Sequence, residues 1–116
     1  VDEFPAEVWR EDVISSYALN KIEPMLERVV EEGSGHRAEI NGLTICGKTG
    51  SAESSRKGRD VTHGLFNGYI DSDELPYAVC VVVEDIVDGE GGGSTAAPIA
   101  GEIFRYIRDH KEGFTH

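Results

Sequence analysis

The sequence predicts an α/β chain of the α+β type: a three-stranded antiparallel sheet flanked by an N-terminal and a C-terminal helix. Two stretches, 20–33 and 97–110, repeat apolar residues every three or four positions, the spacing of one helical face. Between them, within residues 43–85, lie three runs rich in β-branched and aromatic residues. Their connections, SSRKGRD and DSDELP, are too short for a parallel crossover and so imply antiparallel neighbours. At 116 residues and 39% apolar content, one domain at most is expected.

Residues 1–19 open as a polar connection, VDEFPAEVWRED, with Trp9 as its expected anchor and a short helix plausible around Asp12–Leu19. The clearest helix spans Asn20–Glu32, where Asn20 and Glu23 have the N-cap/N3 spacing and Pro24 falls in the first turn. Ile22, Met25, Leu26, Val29 and Val30 form its stripe, and Gly33 closes it, with GSG as a flexible stop.

The strands are expected at Leu43–Glu53, Thr62–Ile70 and Tyr77–Glu84. The last, YAVCVVVE, is nearly all apolar, which predicts cover on both faces. DGEGGGS at 88–94 reads as a flexible loop, and Pro98 opens the final helix, striped by Ile99, Ala100, Ile103, Phe104 and Ile107. Cys46 and Cys80, the two cysteines, lack metal-ligand spacing. An intervening strand, roughly 9–10 Å across, argues against a disulfide, so both are expected as small buried apolar residues.

Twenty-two acidic against eleven basic residues give a net charge of −11, which excludes nucleic acid and anionic membrane surfaces as expected partners. No apolar run reaches the roughly 18–20 residues that cross a bilayer, and no signal-peptide pattern opens the chain. Asp71, Asp73, Glu74, Glu84 and Asp85 lack Ca²⁺-loop spacing and read as a solvated acidic end. His63 reads as a polar residue at the start of its strand.

The stretch GLTICGKTGSAE, residues 42–53, satisfies two motifs. From Gly42 it matches the P-loop, G-x-x-x-x-G-K-T. That motif needs a helix directly after its Lys-Thr, whereas GSAESSRKGRD has no apolar periodicity, so nucleotide binding is the weaker alternative. From Lys48 it is K-T-G, an element of serine acyl-transfer enzymes. On a strand, Lys48 and Gly50 share one face and Thr49 takes the other, beside exposed backbone N–H groups, and glycine at 50 keeps that edge bare.

VVEEGSGHRAEINGLTICGKTGSAE resembles the approach to the K-T-G strand in high-molecular-weight penicillin-binding proteins, where a helix ending V-V-x-x-G-T-G leads into A-G-K-T-G-T-A. HGLFNGYI, PYAVCVVVED and GGGSTAAPIAGEIF resemble the next two strands and the Gly-rich turn with its closing helix, and FPAEVWREDVISSYALNKIEPMLERVV resembles the preceding linker. The resemblance implies the penicillin-binding transpeptidase and serine β-lactamase-like fold, with 1–116 as the C-terminal portion of a transpeptidase domain.

By that resemblance, Lys48 sits in the proton network beside the nucleophile. Thr49 and Ser51 contact the carboxylate of a D-Ala-D-Ala stem peptide or a β-lactam. The Ser51 backbone N–H supplies half of the oxyanion hole, and Gly50 keeps the groove open. Ser51 stands where threonine is usual and keeps the hydroxyl. No cofactor or metal is implied.

The family's S-x-x-K nucleophile and S-x-N motif belong upstream and do not occur there; S54-S-R-K57 follows the triad in a charged connection and reads as a chance match. The chain alone is therefore expected to be inactive. Its expected partners are the N-terminal part of the same domain, the stem peptide and β-lactams, on an extracytoplasmic, membrane-anchored parent. The edge at residues 77–84 is expected to pair with that missing part or with a second copy. A non-catalytic, self-associating binding module is the alternative from another class.

Overall fold

The computed structural model describes residues 3–56 and 58–115. Lys57 of the SSRK stretch and the first two residues of the expected linker lie outside the described residues. The order is helix α1 (Ser16–Glu32), a 3₁₀ turn (His36–Ala38), strands β1 (Ile45–Arg56), β2 (Arg59–Ile70) and β3 (Ala78–Ile86), helix α2 (Ala96–Asp109) and a short α3 (Lys111–Phe114). The sheet runs β1-β2-β3, antiparallel throughout, as the short connections require.

The two helices expected near the N-terminus are one. Ser15, not Asn20, is the N-cap, its hydroxyl accepting from the Ala18 N–H at 3.1 Å. Pro24 therefore lies inside the helix rather than in its first turn, and its missing N–H removes one intrahelical bond. The stripe also shifts. Val30 is buried and Leu26 and Val29 half-buried, while Ile22 and Met25 are exposed because only the later turns of α1 lie against the sheet. Upstream, Trp9 does not serve as a buried anchor; it is 90% exposed, with the Arg10 guanidinium 5.6 Å from its ring.

SSRKGRD is mostly strand. β1 extends to Arg56 and β2 begins at Arg59, paired across a hairpin whose Gly58 has φ +75°. This polar ribbon is held by backbone pairing, so no apolar alternation announced it. His63 lies inside β2 rather than at its start, and its Nδ1 accepts from the Asp85 N–H at 3.1 Å. Asp85, one of the acidic residues, pairs with Arg56 at 3.1 Å.

The core lies between the sheet and α2. Phe66, Ile70 and Val81 face Ala97, Ala100, Phe104 and Ile107, with Ala38, Ile40 and Leu75 closing the ends. Ile99 and Ile103, expected in the α2 stripe, lie on its exposed flank; Ala97 and Gly101 take their place. Phe66 is the centre of this layer. Its ring fills the space over Gly47 and Gly68, where an added Cβ would stand 2.6 Å from ring carbons. β3 is covered on one face only: Val81 is buried, while Ala78, Cys80 and Val82 are exposed. The expectation of two-sided cover, and of Cys80 as a buried residue, fails for that reason. Cys46 is buried, and both thiols are free.

Candidate functional site

Lys48-Thr49-Gly50 lies in the middle of β1, opposite Asn67, Phe66 and Leu65 of β2. A P-loop would place its Lys-Thr at the start of a helix; here they lie within a strand. The pleat separates the side chains as expected. Lys48 and Gly50 share one face with Asn67, and Thr49 and Ser51 share the other with Phe66. β1 pairs only with β2 among the described residues, so its other edge meets no strand.

On the lysine face, α1 and the sheet enclose a cleft of 420 Å³ lined by Leu26, Lys48, Asn67, Tyr69, Ala78 and Cys80. The Lys48 ammonium is exposed and donates to the Thr49 carbonyl at 2.9 Å, which draws the charge along the strand toward its open edge. At the cleft's floor Tyr69 donates to a Glu23 carboxylate oxygen at 3.4 Å. Burial pushes the Cys46 thiol above its ordinary value, and burial followed by the contact with Cys46 pushes the Tyr69 phenol up as well. Neither group is poised to ionise near neutral pH.

On the other face, the hydroxyls have partners. Thr49 Oγ1 lies 2.7 Å from Ser34 Oγ in a hydroxyl–hydroxyl hydrogen bond, and Ser51 Oγ accepts from the Gly92 N–H at 3.3 Å. Both partners come from segments that the sequence presented as flexible. In the turn after α1, the Gly33 and Gly35 N–H groups both donate to the Val29 carbonyl, at 3.1 and 3.0 Å. In the triglycine loop, Gly92 is buried, and a Cβ there would stand 2.5 Å from the Gly50 carbonyl oxygen. The Thr95 hydroxyl donates to the Gly91 carbonyl at 2.7 Å, which closes that loop onto α2. Glycine is required because the loop backbone stacks directly on the strand carrying the triad.

All four residues expected at the site, Lys48, Thr49, Gly50 and Ser51, therefore lie together on one strand. Ser54 stands further along β1, exposed, on a strand and not at the start of a helix. Ser34, Asn67 and Gly92 escaped the sequence reading. The hydroxyl within G-S-G, at the place of threonine in V-V-x-x-G-T-G, was the signal for Ser34; Asn67 and Gly92 had none beyond the strand register.

Comparison with known proteins agrees with this geometry. The family model described as the penicillin binding protein transpeptidase domain matches residues 1–105. The chain is 36% identical over 100 residues to stage V sporulation protein D of Bacillus subtilis (strain 168), covering 83% of this chain and 16% of that protein. It is 33% identical over 95 residues to penicillin-binding protein 3 of the same organism, covering 78% of this chain and 14% of that one. The transpeptidase domain of FtsI4 D,D-transpeptidase from Legionella pneumophila superposes with a TM-score of 0.64 at 33% identity, over 79% of this chain and 35% of that one. The chain thus spans about a sixth of the length of these curated relatives. No described helix is long and apolar enough to cross a membrane. The chain belongs to the family of penicillin-binding protein transpeptidase domains, of which it forms a part.

Proposed function

We propose that this chain is the substrate- and penicillin-binding wall of a peptidoglycan D,D-transpeptidase, working with the rest of its domain at the extracytoplasmic face of the membrane. The observation that carries the reading is the division of β1: an exposed ammonium, Lys48, on one face and two positioned hydroxyls, Thr49 and Ser51, on the other, along an edge that meets no strand among the described residues.

An acyl-D-Ala-D-Ala peptide and a β-lactam share an acyl carbonyl and a carboxylate a few ångströms away. Laid along this edge, the carboxylate meets the hydroxyls of Thr49 and Ser51, and the carbonyl oxygen meets the Ser51 backbone N–H as half of an oxyanion hole. Lys48 supplies positive charge beside the nucleophile and takes part in its proton network. Gly50, half-buried and without a side chain, lets the substrate backbone approach. The nucleophilic serine and the second motif come from the N-terminal part of the domain, so the isolated chain is not expected to turn over. The test is fluorescent-penicillin labelling of the full-length protein. Lys48→Ala is expected to abolish labelling; wild-type labelling in that variant would refute the role.

One observation favours a second reading, self-association. β3 meets no strand on its outer edge among the described residues, and Val82 beside it is 51% exposed. Light scattering decides. A concentration-dependent dimer disrupted by Val82→Lys supports pairing through β3, and a monomer at all concentrations refutes it.

A further inference from the structure

Ser34 follows α1 in the turn 33–35, fifteen residues before Thr49 in sequence, and no role in the site was expected of it. Its backbone is clamped from two sides. The N–H groups before and after it bond the Val29 carbonyl, and a Cβ at Gly93 would stand 2.6 Å from its own carbonyl oxygen. Helix end and triglycine loop together fix where the Ser34 side chain starts, and that side chain ends 2.7 Å from Thr49 Oγ1.

Two hydroxyls at this distance share one proton between them and leave one free. An ionised carboxylate only accepts hydrogen bonds. With such a group at Thr49, one arrangement satisfies all three members: Ser34 donates to Thr49 Oγ1, and Thr49 donates onward to the carboxylate. The reverse orientation consumes the Thr49 proton and presents a lone pair to the anion. An anion at Thr49 thus selects the orientation in which Ser34 donates, and a donor that is itself accepting makes a stronger bond to that anion.

We propose that Ser34 is a positioning residue for carboxylate recognition: by donating to Thr49 Oγ1 it supports the Thr49 hydroxyl as a donor to the anionic end of the acyl donor or β-lactam. This rests on the function proposed above.

The test measures penicillin acylation in the full-length protein, separating the binding constant from the acylation rate. Ser34→Ala is expected to weaken binding about three- to ten-fold, the net worth of one hydrogen bond, with thermal stability unchanged. Ser34→Thr, which keeps the hydroxyl, is expected to restore the wild-type constant. Because Ser34 acts through Thr49, Ser34→Ala is expected to add no loss in a Thr49→Val background. An undiminished Ser34→Ala variant overturns the inference, as does an equal loss with and without Thr49. A wild-type protein that penicillin does not acylate overturns the functional reading itself, and the inference with it.

Discussion

Phe66 is 0% exposed, and its ring occupies the space that a side chain at Gly47 would need. A Cβ at Gly47 would stand 2.6 Å from Phe66 Cζ and 2.8 Å from the Asn67 carbonyl oxygen, both well inside ordinary contact. Neither can yield freely, one being a ring in a packed core and the other backbone. Overpacking of this kind costs about 1–3 kcal/mol. The lower entropy of the unfolded alanine variant offsets about 0.4–1 kcal/mol, leaving roughly 0–2.6 kcal/mol, about 1.3 kcal/mol at mid-range, for Gly47→Ala. Phe66→Ala alone is expected to cost about 3–5 kcal/mol, the range for deleting a buried aromatic ring. In that background the ring contact is gone and only the Asn67 oxygen remains. The cost of Gly47→Ala is then expected to fall by about 1 kcal/mol, a coupling larger than the ~0.3–0.5 kcal/mol scatter between independent sites. Urea unfolding of the four chains, read as midpoint shifts at constant slope, measures it. Equal costs in the two backgrounds would refute the claim that Gly47 lacks a side chain in order to seat this ring.

Gly92→Ala should detach the triglycine loop from β1, with a stability cost of about 1–3 kcal/mol from the clash with the Gly50 carbonyl and a loss of penicillin labelling in the full-length protein. Unchanged labelling would mean that the loop does not hold Ser51. In the native chain a thiol reagent should modify Cys80 quickly and leave Cys46 untouched, with both reacting in denaturant; native labelling of Cys46 would contradict its burial. Stability should also depend on alkaline pH. Cys46 and Tyr69 hold their protons more tightly when folded, so their contribution is fully present below the ordinary cysteine value of 9.0 and is lost as pH rises beyond it. A melting temperature that rises between pH 8 and 10 (roughly one unit either side of that value) would contradict the shift.

The parts of the fold legible in the sequence are those carried by apolar patterning. HGLFNGYI, the alternate residues Val79, Val81 and Val83 of YAVCVVVE, and the α2 stripe around Ala100, Phe104 and Ile107 announced themselves because burial selects those residues. The strand ends 54–56 and 59–60 did not, since backbone pairing alone makes them strand. The start of α1 was misplaced because Asn20 and Glu23 imitate a cap, while Ser15 offers the same accepting role, through a hydroxyl rather than an amide oxygen, about one and a half turns earlier. At the site, the alternation of Lys48 and Thr49 followed from strand geometry. The bonds from Ser34 and Gly92 did not, because they join segments 15 and 41 residues apart and depend on how two glycine turns pack.

Intact-mass spectrometry after incubation with a reactive penicillin, run on this chain and on the full-length protein, shows where the acylated serine lies. No adduct is expected on the chain, and one stoichiometric adduct on the full-length protein, on a serine outside these residues and lost with Lys48→Ala. An adduct on Ser54 or any other serine of this chain would contradict that expectation, because a complete acylating site would then lie within a segment read as one wall of one.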